Sequence, residues 1–205
     1  RSVVIGKDSW FFGNIDGIIE DYRNTSLLKD NEVQQWQNYF SYQKSLAEKN
    51  GYYYAFIMIP NKASIYPEYL PNHIQKVNPL SRFDQLKNAA EKVGVELIDI
   101  RQAMINAKPN GVLYSKYDSH WNLRGAEVAH IEIIKNLQHK FPELTYQPLE
   151  KIGYKDVTGP ELLKNNLIFY GGYKSMLSLQ HHPAFEEKQP MHYDLVTSKL
   201  CQKQS

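Results

Sequence analysis

Apolar residues follow two rhythms along this chain. In some stretches they stand in short unbroken runs, and in others they recur every three or four positions. The first rhythm predicts strands and the second helices. Val3-Val4-Ile5, a Gly6-Lys7-Asp8 turn and Trp10-Phe11-Phe12 predict a hairpin. Residues 16–28 mix both signals and predict irregular structure. Asp30 or Asn31 then caps a helix with Glu32 in its first turn. Val33, Trp36, Tyr39, Phe40, Gln43, Leu46 and Ala47 recur along it, and Asn50-Gly51 ends it. The unbroken run from Tyr52 to Ile59, stopped by Pro60, predicts a strand buried on both faces, as in a parallel sheet. Residues 61–78 predict a loop rich in proline and tyrosine.

Ser81 caps a second helix, with Phe83, Leu86, Ala89, Ala90 and Val93 on one stripe and Gly94 after it. The next six residues, Val95 to Ile100, predict a second core strand, and residues 101–107 a short helix ended by Pro109-Asn110-Gly111. Val112-Leu113-Tyr114 predicts a short strand. A third long helix runs from near Asn122 to about Lys140, with Val128, Ile131, Ile134 and Leu137 along one side and Phe141-Pro142 as its stop. Helices alternating with strands predict an α/β domain with a mostly parallel central sheet. Past Pro142 the pattern weakens: Leu162-Leu163 predicts a helix, Ile168-Phe169-Tyr170 a strand, Tyr170-Gly171-Gly172-Tyr173 a turn and residues 181–190 a loop.

Composition narrows the function classes. The chain has 205 residues, of which 42% are hydrophobic and 22% charged. A domain of that size buries roughly 70% of its unfolded surface, so neither a disulfide nor a metal is needed for folding. The single Cys201 excludes an internal disulfide. A net charge of +2 with dispersed Lys and Arg argues against a nucleic-acid partner. No run of 18 apolar residues exists, so no transmembrane helix is expected. The 15 tyrosines suit either half-buried clefts and sugar-binding surfaces or an ordinary core in which Tyr replaces Phe. His181-His182 and His192 lack acidic or Cys partners at ligand spacing, so no metal site is expected. Asn24-Thr25-Ser26 matches a glycosylation sequon, a pattern common by chance.

Candidate chemistry concentrates in the segment from Tyr114 to Ala126, which lies in a loop before a helix and downstream of a core strand. Ligand sites of open α/β sheets lie beyond the carboxyl ends of strands. Asp118 and His120 stand two apart. A carboxylate beside an imidazole accepts from Nδ1–H, fixes the tautomer and leaves Nε2 as a base. The competing reading has Asp118 capping the helix and His120 merely packing. Ser119, between them, is expected to point away from both. Arg124 near the helix start is unfavourable for the helix dipole. It is a candidate for binding an anionic ligand, or else a surface salt bridge. Trp121 is a candidate sugar platform or loop packing. Lys62, after the first core strand, is a candidate cleft residue or a solvated lysine. Tyr114, Tyr66 and Tyr69 pose the same choice as Trp121.

The segment Asp118-Ser119-His120-Trp121-Asn122, followed by Gly125-Ala126, resembles a signature of the alginate O-acetyltransferase family. Members of that family have an SGNH-hydrolase-like fold. Three further stretches resemble it in the same order. These are Ile5 to Phe12, then Pro60-Asn61-Lys62 with Ile65 to Pro71, then Leu97-Ile98-Asp99-Ile100-Arg101. The likeness is strongest over residues 1–142, within a single domain expected to span 1–205, and Thr158-Gly159 with Leu162 is a faint echo. The resemblance implies a three-layer fold and an Asp–His–Ser triad that moves acetyl groups onto polysaccharide hydroxyls. Asp118 and His120 match its first two positions, and Arg124, Trp121, Lys62 and Tyr114 are expected to contact substrate. The family's serine follows the Asp-x-His motif in a Gly-Asp-Ser or Arg-Asp-Ser context that this chain lacks. The expectation is therefore a domain truncated at its C-terminus, with the nucleophile beyond Ser205. The alternatives are a non-catalytic carbohydrate-binding or scaffold relative and a simple carbohydrate acetyl-esterase. Expected partners are a polysaccharide acceptor, an acetyl donor and an envelope acetylation complex, in the periplasm or another extracytoplasmic space. Acyl transfer through serine implies no cofactor.

Overall fold

The computed structural model describes residues 2–146, together with two short paired strands farther along the chain. Its elements run β1 (Val3–Ile5), β2 (Phe11–Gly13), α1 (Ile18–Tyr22), α2 (Asp30–Lys49), β3 (Ala55–Ile57), α3 (Lys62–Ile65), α4 (Arg82–Lys92), β4 (Glu96–Ile98), α5 (Arg101–Ala107) and α6 (Leu123–Leu137). The later strands are β5 (Val157–Thr158) and β6 (Lys188–Gln189), which pair antiparallel. The elements expected at 162–163 and 168–173, and His181, His182, His192 and Cys201, lie outside the described residues, as does the loop expected at 181–190 except for Lys188–Gln189, which form β6 instead of continuing the loop. The described residues fall into two compact units. One comprises Gly13–Arg101 with the residues before Ser9, and the other comprises Ser9–Phe12 with the residues from Gln102 onward.

In the first unit, β3 and β4 pair in parallel, with Phe56 opposite Leu97. Opposed residues share a sheet face. On this face Phe40 of α2 and Phe83, Leu86, Ala89 and Ala90 of α4 join Leu97 and Val95 in one buried cluster, with Phe56 and Trp36 packed against it. Phe40 is fully enclosed, and its ring centroid lies 5.1 Å from that of Phe56. Helix boundaries follow side-chain chemistry. Ser81 Oγ accepts the Asp84 N–H (3.1 Å) while Asp84 Oδ2 accepts the Ser81 N–H (3.0 Å), a reciprocal cap on α4. Gly51 and Gly94 follow α2 and α4 with φ of 74° and 66°, the left-handed turn that glycine adopts without a Cβ penalty.

Several expectations need correction. Helix α2 is entered through Glu32, whose Oε2 accepts the Lys29 N–H at 2.7 Å, so Asp30 and Asn31 lie inside the first turn instead of capping it. The aromatic run supplies a strand of only three residues, half-buried and not enclosed on both faces. Tyr52 is 72% exposed. The phenol groups explain the difference, because a hydroxyl must keep a polar partner or water. Tyr53 donates to Glu96, and burial followed by that carboxylate pushes its phenol up to about 12. The expected loop at 61–78 contains α3, capped by Asn61 Oδ1 accepting the Ser64 N–H at 3.1 Å. Residues 16–28 contain α1. The sequon residue Asn24 is buried, its Nδ2 donates to Asn78 O at 2.6 Å, and Asn78 Nδ2 returns a bond to Asn24 O at 2.9 Å. That asparagine is a structural clamp.

Where β4 passes into α5, Arg101 grips Asp99 through Nε (2.9 Å) and Nη2 (2.7 Å) and lies 3.7 Å from the Phe83 ring centroid. Burial alone would raise the Asp99 carboxyl. The side-chain and backbone bonds from Arg101 outweigh it and hold the group below the usual carboxylate range.

In the second unit, Asn122 caps α6 with Oδ1 accepting the Gly125 N–H at 3.0 Å. Its deepest contacts are at Leu123, Gly125 and Ala129, while the predicted stripe of Val128, Ile131, Ile134 and Leu137 is only half-buried. The helix approaches its neighbours closest through small residues of its first turns, a feature that hydrophobic periodicity does not weigh.

Candidate active site

The chain between α5 and α6 doubles back on itself. After Gly111, Ser115 N–H donates to His120 O (3.2 Å) and Asn122 N–H to Leu113 O (2.9 Å), with Tyr114 and Trp121 as antiparallel bridge partners between them. Asn122 adds a third tie, Nδ2 to Val112 O at 2.7 Å. The predicted strand at 112–114 is thus realised as one arm of this narrow ladder. The tip is anchored from β2. Phe11 N–H donates to Lys116 O at 3.0 Å, and the Phe11 ring meets Tyr117 edge-on at 5.2 Å.

Asp118 and His120 sit in this anchored tip. Asp118 is buried, and its Oδ1 accepts the His120 backbone N–H at 3.1 Å. That bond from the residue two ahead is an Asx turn, the local conformation for which Asp is suited. The turn carries the imidazole back over the carboxylate, and His120 Nδ1 lies 2.6 Å from the same Oδ1. Beside an ionised carboxylate Nδ1 is the donor, so Nε2 holds the lone pair. The His120 side chain is 74% exposed, and among the described residues no group bonds Nε2. The helix-capping reading of Asp118 is corrected, because Asn122 fills that role. His120 does not pack into the interior.

Ser119 also departs from expectation. Its Oγ donates to Asp118 Oδ1 at 3.3 Å and lies 3.4 Å from His120 Nδ1. Strand-like alternation would point it away. The turn abolishes that alternation and gathers three consecutive side chains on one side.

The remaining candidates divide. Trp121 is half-buried beside Tyr114. Tyr114, expected among the substrate contacts, is only 2% exposed and is enclosed by protein, because its backbone forms the inner arm of the ladder. Arg124 is half-buried and lies across Gly111, where an added Cβ would sit 2.9 Å from Nε. Among the described residues no carboxylate lies within ion-pairing distance of it, so the salt-bridge alternative is not realised there. Lys62 belongs to the first unit, where it is buried at the start of α3, unlike the solvated lysine of the alternative reading. Among the described residues no group of three or more His, Cys, Asp and Glu side chains is placed to hold a metal.

Sequence reasoning named Asn122 and Gly125 but not the part each plays. Asn122 ties the helix start to the ladder. At Gly125 a Cβ would meet Leu113 O at 2.3 Å. The signal for Asn122 was its place before an apolar-periodic stretch.

Residues 3–165 match the SGNH hydrolase-like domain of acetyltransferase AlgX. The chain belongs to this family. The match extends beyond the strongest part of the sequence resemblance, and the fold is the SGNH-hydrolase-like one. Among curated relatives, the probable alginate O-acetylase AlgJ of Pseudomonas aeruginosa is 32% identical over 129 residues, covering 61% of this chain and 30% of that protein. The AlgJ of Pseudomonas syringae is 24% identical, covering 75% of this chain and 39% of that protein. The chain thus spans between 30% and 39% of the length of these relatives. Of solved structures, the O-acetyltransferase domain of Pseudomonas putida AlgJ superposes with a TM-score of 0.50 at 23% identity, over 77% of this chain and 52% of that one. Bacillus cereus PatB1 gives a TM-score of 0.50 at 19% identity, over 77% and 48%.

Proposed function

We propose that this chain carries the acid–base part of a polysaccharide O-acetyltransferase centre, with Asp118 as orienting carboxylate and His120 as general base. The observation that supports this best is the 2.6 Å contact between Asp118 Oδ1 and His120 Nδ1, made by an imidazole whose Nε2 is bonded to nothing among the described residues. A base needs that arrangement: one nitrogen held, the other open. The names of the AlgJ relatives support acetyl transfer to a polymer of sugar acids.

The reaction proceeds through a serine hydroxyl, a weak nucleophile without an adjacent base. Nε2 takes the hydroxyl proton as the serine oxygen bonds to the acetyl carbonyl carbon of the donor. The imidazolium, stabilised by Asp118, returns that proton to the donor's leaving group as its bond to the acetyl carbon breaks. A sugar hydroxyl then gives its proton to Nε2 and attacks the acetyl-serine, and the serine oxygen leaves with the proton. Every step needs the Nδ1–H tautomer, which the buried carboxylate selects. Arg124 and Trp121 are the acceptor contacts of this reading. Tyr114 is the bridge partner of Trp121 across the ladder. The setting is extracytoplasmic, with an acetyl donor and an envelope acetylation complex as partners.

His120→Ala in the full-length protein tests the proposal. Acetyl transfer to an oligosaccharide acceptor is expected to fall by at least about a thousandfold, with the unfolding midpoint unchanged because the ring is exposed. Retained transfer overturns the assignment and favours a binding role for this domain.

A further inference from the structure

We infer that Ser119 is a positioning residue, one that clasps the Asp118–His120 pair and keeps the imidazole in its working orientation. The inference rests on the reading of His120 as the base and adds a residue to it.

The imidazole is 74% exposed, so packing does little to fix its side-chain torsions. Its orientation depends on polar contacts along one edge. Asp118 Oδ1 supplies the short one, at 2.6 Å from Nδ1. Ser119 Oγ supplies the rest of that edge, 3.3 Å from Oδ1 and 3.4 Å from Nδ1. A hydroxyl has one proton to donate and lone pairs to accept with. Here the proton goes to Oδ1, and a lone pair faces Nδ1–H as the weaker limb of a three-centre bond. Oγ, Oδ1 and Nδ1 thus form a closed triangle, and a ring flip that carried Nδ1 away would break two contacts instead of one. The hydroxyl also fills space from which water would compete for the Asp118–His120 bond. It lies on the Nδ1 side of the ring, whereas a nucleophile must reach Nε2, so Ser119 is a support for the base and not its client.

The test compares Ser119→Ala and Ser119→Thr in the full-length protein. Loss of one weak clasp is expected to lower kcat roughly three- to tenfold with KM within about twofold, and Thr, which keeps the Oγ, is expected to restore kcat to within about twofold of the parent. Histidine 15N spectra of the same proteins give an independent readout. The Nδ1–H tautomer of His120 is expected to dominate in the parent and the Thr variant, and the Nε2–H tautomer to grow in Ala. An unchanged kcat and tautomer ratio in Ala overturns the inference, as does a loss that Thr fails to rescue. A loss beyond about a thousandfold in Ala also overturns it, by making Ser119 the nucleophile. The His120→Ala variant separates the two claims. If it stays active, the base assignment fails while the spectra still judge the clasp; if it is inactive and Ser119→Ala is normal by both readouts, only the clasp fails.

Discussion

Replacing Gly125 with alanine adds one methyl group, and the structure says where it goes. The new Cβ would lie 2.3 Å from the carbonyl oxygen of Leu113 and 3.0 Å from Trp121 Cβ. Contacts below 3.0 Å are essentially never seen, so the start of α6 must retreat from the ladder by at least 0.7 Å. The obstacle is backbone, and no rotamer change relieves it. Leu113 O is also the acceptor of the Asn122 N–H at 2.9 Å, so the retreat stretches the bond that holds the helix cap to the ladder. Overpacking of this kind costs about 1–3 kcal/mol, and weakening one buried hydrogen bond about 1 kcal/mol more. The gain in helix propensity from Gly to Ala, at most about 1 kcal/mol, offsets part of this. A net loss of about 2 kcal/mol corresponds to a fall of roughly 4–8 °C in Tm for a domain of this size. The assay is thermal unfolding of parent and variant, followed by circular dichroism, with acetyl transfer measured alongside. Because the ladder also carries Asp118 and His120, activity is expected to fall more steeply with temperature in the variant. A Tm within 1 °C of the parent, or above it, would refute the close approach.

Three other outcomes are expected. Asn122→Ala removes a helix cap and the bond to Val112 O, and is expected to lower stability by about 2 kcal/mol in denaturant titration, with Asn122→Asp recovering the cap alone. Asn24→Ala removes a buried reciprocal clamp at a residue with φ of 59°, and is expected to cost about 2 kcal/mol; peptide mass spectrometry after expression in a glycosylating host is expected to find no glycan on folded protein at Asn24. The Asp99 carboxyl is held below its ordinary value, so its contribution to stability is fully present above about pH 4 and is lost as pH falls through the lowered value; Arg101→Gln is expected to flatten that part of the acid-unfolding curve.

Much of this architecture was legible in residue order. Ser81, and the returning apolar positions of Phe83, Leu86 and Ala90, announce α4 because a cap and a stripe are both local signals. The pairing of β3 with β4 follows from two apolar runs joined by a helix. What escaped depends on where hydroxyls go. The tyrosines at 52–54 read as apolar bulk, yet their polar tips bring Tyr52 and Tyr53 to the surface and shorten the strand to three residues. Asp118 and His120 stand out as a pair in sequence, but the turn that joins them reverses the expectation for Ser119, because alternation holds only for extended backbone. Gly125 escaped for a different reason. The need for glycine there is set by Leu113, twelve residues earlier, and no local rule reports a contact made across a ladder.

The spacing of Asp118 and His120 has a consequence for assembly. In centres whose orienting carboxylate, base and nucleophile come from three distant segments, three independent placements must agree to a fraction of an ångström, and any breathing of the scaffold misaligns all of them. In the centre proposed for this chain, the orienting carboxylate and the base ride on neighbouring peptide units, locked by one backbone hydrogen bond. Their backbone moves as a single piece, and the 2.6 Å contact aligns the two side chains on it. Under that proposal one placement remains, that of the hydroxyl to be activated. In that proposal a single distance, from the imidazole to the hydroxyl, decides whether the parts are in register.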